Sequence, residues 1–241
     1  MTAVVVTGAS RGIGRGCALA FAGQGAEVLL VARNAEQLED VAHEIRERGG
    51  KARTAVCDVT CASEVQEMFE RLERCDVLVN NAGTNHPQPF LAVDLVTLDE
   101  LLALNVRSMF VTAQAAARVM SRSGSGVIIN MSSQMGHVGA AHRTVYCMTK
   151  HAIEGLTKAM AVELGPLGIR VNAVAPTYVE TPMTQPFLED GPFRNEVLRR
   201  IPLGRIGTID EVVAAVTFLA SPGASLITGA SLLTDGGYTA Q

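Results

Sequence analysis

Short apolar runs alternate along the chain with longer stretches in which apolar residues recur every three or four positions. The runs are predicted to be strands: Val4–Thr7, Val28–Ala32, Arg53–Asp58, Val77–Asn80, Val127–Ser132, Arg170–Ala175 and Ser231–Thr234. The stretches between them are predicted to be helices: Ile13–Gly23, Ala35–Arg48, Glu64–Leu72, Leu98–Met120, Tyr146–Gly165 and Ile209–Ala220. Several strands are apolar at consecutive positions, which is typical of strands covered on both faces. The alternation predicts an α/β fold with a parallel sheet and right-handed crossovers.

Polar residues and helix breakers mark several helix ends. Three pairs have the spacing of N-terminal capping residues: Asn34 with Gln37, Thr97 with Glu100, and Thr208 with Glu211. Pro166 and Gly168 predict the end of the fifth helix.

One long stretch, Thr177–Pro202, has no clear periodicity. It contains Pro182, Pro186, Gly191 and Pro192. Loops of this length in compact domains are usually functional or disordered, and Phe187 and Phe193 give this one apolar surface. We therefore interpret residues 177–202 as a substrate lid in a single domain spanning residues 1–241.

Composition narrows the possible functions. A net charge of −4 with no basic run argues against a nucleic-acid partner. No apolar segment approaches the ~20 residues needed to span a bilayer, and Met1–Val6 is interpreted as a first strand rather than a signal peptide. The cysteines are odd in number and include no C-x-x-C pair, which predicts a reduced, cytoplasmic protein; they are Cys17, Cys57, Cys61, Cys75 and Cys147. The sequence contains no H-E-x-x-H pattern that would indicate a metal site.

The turn after the first strand is rich in glycine and opens a helix. Gly8, Gly12 and Gly14 follow the spacing G-x-x-x-G-x-G. Glycines let the backbone approach a ligand closely, and the free N–H groups of a helix N-terminus bind a diphosphate. A tight turn without a ligand would need the same glycines, but the strand–turn–helix context favours nucleotide binding.

The end of the second strand bears on the choice of cofactor. A carboxylate there would hold the adenosine ribose of NAD, whereas an arginine accommodates the 2′-phosphate of NADP. This chain has Arg33 at that point, and Arg11 in the glycine turn can approach the same phosphate. We expect NADP(H), with NAD(H) possible if Arg33 is only a solvated loop residue.

Tyr146 and Lys150 are four residues apart and therefore lie on one face of a helix. A nearby cation favours the phenolate and lowers the pKa of a tyrosine, which can then transfer a proton. The alternative is a partly buried tyrosine followed by a surface lysine.

Together these motifs resemble the short-chain dehydrogenases/reductases over essentially the full length of the chain. The family's motifs match Gly8, Gly12 and Gly14, Asn80–Gly83, Asn105, Ser133, and Tyr146 with Lys150. The resemblance implies a single Rossmann-type, doubly wound domain with a seven-stranded parallel sheet flanked by helices. It also implies an NAD(P)-dependent oxidoreductase that interconverts a carbonyl and a secondary alcohol.

The resemblance assigns catalytic roles to four residues. Tyr146 would transfer the proton to or from the substrate oxygen, and Ser133 would hydrogen-bond that oxygen. Lys150 would hold the nicotinamide ribose and lower the pKa of Tyr146, while Asn105 would position a water that links Lys150 to solvent. Ser132 is the alternative to Ser133, but adjacent strand residues point to opposite sides and the spacing to Tyr146 matches Ser133.

The same resemblance gives a set of cofactor contacts. They are Gly8, Ser10, Arg11, Gly12, Ile13, Gly14, Arg33, Asp58, Val59, Asn81, Ala82, Gly83, Tyr146, Lys150, Val179 and Thr181. The chain departs from the family at Pro176-Thr177, where Pro-Gly is usual. Threonine lacks the conformational freedom of glycine, so the local backbone and the pocket shape are in question.

The substrate and the assembly are less defined. We expect the substrate to meet Gln134, His137, Arg143 and Tyr178, and we predict a sugar, sugar acid or polyol. The alternatives are a 3-oxoacyl thioester reductase and a non-catalytic dinucleotide-binding sensor. Many small residues in the helices Leu98–Met120 and Tyr146–Gly165, together with the resemblance, lead us to expect a homotetramer.

Overall fold

Seven parallel strands form one sheet in the computed structural model, which describes residues 2–241. They are β1 (Ala3–Thr7), β2 (Glu27–Ala32), β3 (Lys51–Val56), β4 (Val77–Asn80), β5 (Gly126–Met131), β6 (Ile169–Pro176) and β7 (Ser231–Thr234). Their order in the sheet is β3-β2-β1-β4-β5-β6-β7, and every neighbouring pair is parallel. The predicted doubly wound fold is confirmed. Its winding reverses between β1 and β4, the point where such sheets bind ligands beyond the strand ends.

The helices connect these strands and pack on both faces of the sheet. They are α1 (Gly12–Gly23), α2 (Ala35–Glu47), α3 (Ala62–Glu70), α4 (Leu95–Leu102), α5 (Ser108–Ser123), α6 (Thr144–Leu164), α7 (Gln185–Leu188), α8 (Gly191–Arg200) and α9 (Ile209–Ala220). No helix within residues 2–241 is both long and apolar enough to cross a bilayer.

Consecutive apolar residues in the strands are explained by two cores. Val4 and Val6 of β1 pack in one cluster with residues of α1, α2 and α9. Val5, between them, packs in a second cluster with residues of α3, α5 and α6. Because strand side chains alternate in direction, a sheet covered by helices on both faces needs apolar residues at every position.

Two of the three predicted N-terminal caps are confirmed. The side chain of Asn34 accepts from Gln37 N at 2.9 Å, and Thr208 forms a capping box with Glu211. The third prediction, Thr97 with Glu100, is wrong. Asp94 caps α4 instead and accepts from Thr97 N at 2.7 Å, so that the helix begins three residues earlier than predicted.

The predicted helix Leu98–Met120 is not continuous. Five residues, Ala103–Arg107, form a π-helix between α4 and α5. Insertions of this kind are frequent at functional sites, and here the buried Asn105 lies at its centre.

The stretch 177–202 is also more regular than predicted, because it contains α7 and α8. Pro186 and Pro192 lie in the first turns of these helices, where the missing N–H of proline has no intrahelical partner to lose. The two prolines therefore begin helices here, whereas the sequence pattern suggested irregular chain. The segment packs through Val197, Tyr178 and Phe193, and the last two rings meet edge to face at 5.8 Å.

Candidate active site

A cleft of about 370 Å³ lies at the carboxyl ends of the strands. Its walls are the glycine turn after β1, the ends of β2 to β6, the start of α6 and residues 181–184. Every predicted cofactor residue except Gly14 lines this cleft. Sequence reasoning missed Asn34, Gln37, Cys57, Thr84, Leu104 and Met131, which also line it and belong to no recognisable motif.

Gly14 has a different task from the other glycines. A Cβ atom at this position would collide with the carbonyl oxygen of Gly8 and with Asn81 Nδ2. Gly14 therefore lets α1 begin directly against the turn. Gly8 and Gly12 have φ values of +64° and +56°, which glycine adopts without strain.

The glycine turn is fastened to the end of β4. Thr7 Oγ1 accepts from the backbone N–H groups of Asn81 and Ala82 at 2.9 and 3.0 Å. The side chain of Asn81 donates in return to the carbonyl oxygen of Thr7 at 2.9 Å. These bonds fix two walls of the cleft relative to each other.

The residues at the start of α1 fit a dinucleotide diphosphate. Arg11 is the N-cap residue, and its side chain does not cap the helix, in contrast to Thr208 at α9. The first turn of α1 has no acidic residue, so its N–H groups and dipole are available to an anion. Arg11 lines the cleft beside them.

The far end of the cleft lies between the tips of β2 and β3. Arg33 lines it there, near Asp58. Burial raises the pKa of Asp58, but hydrogen bonds from Thr60 and the charge of Arg33 outweigh this and hold the pKa below its usual value. The carboxylate therefore lies at the end of β3, and the tip of β2 carries a cation.

The four predicted catalytic residues come from three separate elements. Ser133 follows β5, Asn105 lies in the π-helix, and α6 carries Tyr146 and Lys150. Ser133 lies close enough to Tyr146 to lower the pKa of its hydroxyl by hydrogen bonding. Lys150 Nζ lies 5.5 Å from the centroid of the Tyr146 ring and donates to the carbonyl oxygen of Met131 at 2.8 Å.

Burial dominates the electrostatics of the pair on α6. It raises the pKa of Tyr146 to about 12, against the hydrogen bond from Ser133 and the charge of Arg143. It lowers the pKa of Lys150 to about 8, against the negative charge of Glu154. Arg143 is a cation that lowers the pKa of Tyr146 here, and the same role for Lys150 stays a prediction.

Asn105 uses its side chain to join two parts of the site. Its Oδ1 accepts from Thr84 N at 2.9 Å, and its Nδ2 donates to Thr84 O at 2.8 Å. Nδ2 also lies 3.3 Å from Thr149 Oγ1 on α6. The amide is thus engaged with the loop after β4 and with α6, and the water expected near Asn105 and Lys150 stays a prediction.

The four residues expected to meet the substrate lie outside the lining of the cleft: Gln134, His137, Arg143 and Tyr178. His137 is turned away from it, because its Nε2 lies 3.0 Å from Ser231 Oγ and 3.3 Å from Glu154 Oε1. Its ring connects the segment after β5 to β7 and α6, and its contact with a substrate stays a prediction.

Gln134 and Arg143 are buried rather than exposed loop residues, at 1% and 7% relative exposure. Both amide atoms of Gln134 and the Nε of Arg143 lack a partner within the protein. Two buried polar side chains therefore flank Ser133 and Tyr146 with unused hydrogen-bonding groups.

Comparison with known proteins places the chain among dehydrogenases and reductases. A family model described as enoyl-(acyl carrier protein) reductase matches residues 8–239. The chain is 39% identical to gluconate 5-dehydrogenase of Gluconobacter oxydans, over 98% of this chain and 93% of that protein. It is 40% identical to L-xylulose reductase of Bos taurus, over 98% and 96% of the two chains. The crystal structure of a gluconate 5-dehydrogenase from Burkholderia cenocepacia J2315 in complex with NADP and tartrate superposes with a TM-score of 0.96 at 34% identity, covering 100% and 96%.

The buried cation on α6 leads to a prediction about stability. The pKa of Lys150 is about 8 in the folded chain against 10.5 for an unperturbed lysine. Burying this lysine in its charged form therefore lowers the free energy of unfolding at pH 7. This cost is fully present below pH 8 and disappears as the pH rises toward 10.5. We expect Lys150→Met to raise the free energy of unfolding at pH 7 by about 1–3 kcal/mol. Loss of the hydrogen bond to the Met131 carbonyl oxygen reduces this gain.

Urea unfolding at pH 7 and at pH 10 measures this effect. The gain from Lys150→Met should shrink at pH 10, where the wild-type lysine folds largely uncharged. Lys158→Met, at an exposed position of the same helix, is the control and should show no such pH dependence. A Lys150→Met protein less stable than wild type at pH 7 would contradict the assignment.

Proposed function

The chain belongs to the short-chain dehydrogenase/reductase family and is an NAD(P)-dependent oxidoreductase that interconverts a carbonyl and an alcohol, and from this premise we propose that its substrate is a sugar, a sugar acid or a polyol. The relatives reported above are named for such compounds, gluconate and L-xylulose. The observation within this chain that carries the proposal is a set of buried polar side-chain atoms without partners. They belong to Asn85, Gln88, Ser132, Gln134 and Thr177.

Three of these five residues lie in the wall of the cleft or next to it in sequence. Ser132 and Thr177 line the cleft, and Gln134 follows Ser133. The loop that contains Gln88 is joined to the segment before α6, because Gln88 N donates to His142 O at 3.0 Å. A buried polar group without a partner is unfavourable, and a ligand with several hydroxyls can both donate to and accept from such groups.

This argument separates the proposal from its nearest rival. The matching family model carries the name of an acyl-carrier-protein reductase, which favours a 3-oxoacyl thioester. However, the acyl chain of such a substrate would leave the same polar atoms unpaired. We therefore place the thioester second. A non-catalytic sensor would have no use for a tyrosine placed beside Ser133 and a buried Lys150.

For the reaction, we propose that Tyr146 is the general acid in reduction and the general base in oxidation. A bound nicotinamide cofactor supplies or accepts the hydride. As a carbonyl is reduced, negative charge develops on its oxygen, and the hydroxyls of Tyr146 and Ser133 stabilise it by hydrogen bonds before Tyr146 gives up its proton. Lys150 holds the ribose hydroxyls, and its positive charge supports the tyrosinate that remains. Asn105 keeps Thr84 and α6 in register around this group.

We propose NADP(H) rather than NAD(H) as the cofactor. Arg33 lines the cleft at the tip of β2, where a carboxylate would be needed to hold an unphosphorylated ribose. Arg11 lines the same part of the cleft, and guanidinium groups bind phosphate in forked pairs. The crystal structure of the Burkholderia cenocepacia relative is a complex with NADP.

Residues 177–202 are proposed to act as the substrate lid of the single domain. Thr181, Pro182 and Met183 line the cleft from this segment, and Phe187 of α7 lies against Arg143. The segment therefore contacts both the cofactor side and the substrate side of Tyr146.

Activity measurements test the reaction. Sugar acids, polyols and a 3-oxoacyl thioester are each assayed by nicotinamide absorbance, and turnover of the thioester alone would overturn the proposed substrate class. We expect Tyr146→Phe to lower kcat by about 10³-fold while dinucleotide binding, followed by fluorescence, is retained. Absence of turnover by the wild type with the whole panel would favour the sensor.

The cofactor proposal has its own test. We expect Arg33→Ala to raise the KM for NADP⁺ by about 30-fold, because the 2′-phosphate loses a charged partner, and to leave the KM for NAD⁺ nearly unchanged. Arg53→Ala removes an equal charge from an exposed position of β3 and serves as the control. Equal effects of Arg33→Ala on both cofactors would reject this role.

We also propose a homotetramer. The outer faces of α4, α5 and α6 carry apolar side chains that are substantially exposed in the single chain: Val96, Phe110, Met148 and Val162. Such exposure on neighbouring helices is typical of contact surfaces between subunits. Light scattering after size exclusion should give about four times the mass of one chain, and a monomer mass would exclude the proposal.

For location we propose the cytoplasm. All five cysteines are free, which suits a reducing compartment. Cell fractionation that finds the protein in an oxidising compartment would rule this out.

A further inference from the structure

Arg143 is a buried cation without a counter-charge. It precedes Tyr146 by one helical turn and has 7% relative exposure. Among residues 2–241 no carboxylate oxygen lies within 4.0 Å of its guanidinium. Its one recorded side-chain hydrogen bond is a long contact of 3.5 Å to the carbonyl oxygen of His142, and its Nε has no partner.

Arg170 shows what a structural arginine looks like in this chain. Its guanidinium donates to three carbonyl oxygens, those of Leu219, Ile227 and Ser221, at 2.8, 3.2 and 3.4 Å. Those bonds tie β6 to the end of α9 and the segment that follows it. Arg143 makes no comparable set, and a buried guanidinium is strongly unfavourable unless it is paired.

The surroundings of Arg143 connect it to the reaction. Its guanidinium lies close enough to the phenols of Tyr146 and Tyr178 to interact with both electrostatically. Its Cζ lies 5.2 Å from the centroid of the Phe187 ring in the lid. The charge therefore lies between the proton-transferring tyrosine and the segment that covers the site.

The backbone immediately before Arg143 has an unusual conformation that the surrounding chain holds in place. His142 has φ of +58°, the only positive φ of a non-glycine residue within residues 2–241. Its carbonyl oxygen is held by Gln88 N, and Arg143 N donates to Ala140 O at 3.2 Å. Backbone strain of this kind persists where the surrounding structure requires it, frequently at ligand sites.

We propose that Arg143 binds the carboxylate of the substrate, and that this enzyme acts on polyhydroxy acids in preference to neutral sugars and polyols. The inference rests on the proposed function and selects one class within it. A carboxylate accepts two parallel hydrogen bonds from a guanidinium, which no neutral hydroxyl can replace. The unpartnered amide of Gln134 and the side chains of Asn85 and Gln88 would serve the hydroxyls of the same molecule.

A second role for Arg143 makes a different prediction. If its charge served only to lower the pKa of Tyr146, its removal would slow every substrate alike, whatever the charge of that substrate. If it also binds a carboxylate, its removal reduces kcat/KM for acids far more than for uncharged analogues of the same shape. Matched acids and amides therefore separate the two roles.

The probes are D-gluconate, D-galactonate and D-xylonate, each with its neutral amide, and the polyols xylitol and sorbitol. With the wild type we expect kcat/KM for the best acid to exceed that of its amide by about 100-fold. In Arg143→Gln we expect the KM for the acid to rise until this preference is nearly lost, while any loss of kcat through a raised pKa of Tyr146 is shared by acid and amide. Arg143→Lys should recover part of the preference, because it restores the charge but not the fork.

The controls separate folding and net charge from recognition. Arg199→Gln removes the same charge from an exposed position of α8 and should leave the preference unchanged. Thermal melting should place Arg143→Gln at or above wild type, since an unpaired buried charge has been removed. Turnover of polyols or amides as fast as acids by the wild type overturns the inference and leaves the proposed function intact. Equal losses on acid and amide in Arg143→Gln overturn it in favour of the second role, and no turnover with any probe overturns both.

Discussion

The unfavourable burial of charge at the start of α6 is the constraint around which the catalytic end is built. Lys150, Arg143 and Tyr146 lie within two helical turns, and burial shifts the pKa of each away from its ionised form. The protein compensates unevenly. Lys150 has the Met131 carbonyl and the charge of Glu154, whereas Arg143 has an aromatic ring and little else. Two apolar cores, one on each face of the sheet, give the fold the stability to retain such groups.

Hydrogen bonds between loops and strand ends hold this arrangement in place. Thr7 receives two backbone N–H groups from the end of β4, and Asn105 pairs with both backbone groups of Thr84 a few residues later. The π-helix is the local distortion that accompanies a buried Asn105 at that point. The short segment that follows β4 thus anchors both the glycine turn of the cleft and the π-helix that contains Asn105.

The sequence was most informative where a single local rule decides the outcome. Alternating runs located all seven strands, and the caps at Asn34 and Thr208 followed from side chains that have one obvious partner. It was least informative where two local rules compete. Pro186 and Pro192 suggested irregular chain but begin helices, and Thr97 was predicted to cap a helix that Asp94 caps. The sequence also could not predict the direction of side chains after a turn, such as those of His137 and Arg143. Such directions depend on contacts with distant residues, here Ser231 and Phe187, that no short window contains.

Gly14 has a consequence for attempts to redesign the protein. The atom that a side chain there would strike belongs to the backbone of Gly8, so no neighbouring side chain can move aside to make room. Gly23, at the other end of the same helix, has nothing within 4 Å of the position a Cβ would take. The first turn of this helix therefore contains a position closed to every other amino acid, and its last residue is open to substitution. A library intended to change the cofactor should vary the tip of β2 and leave the glycine turn untouched.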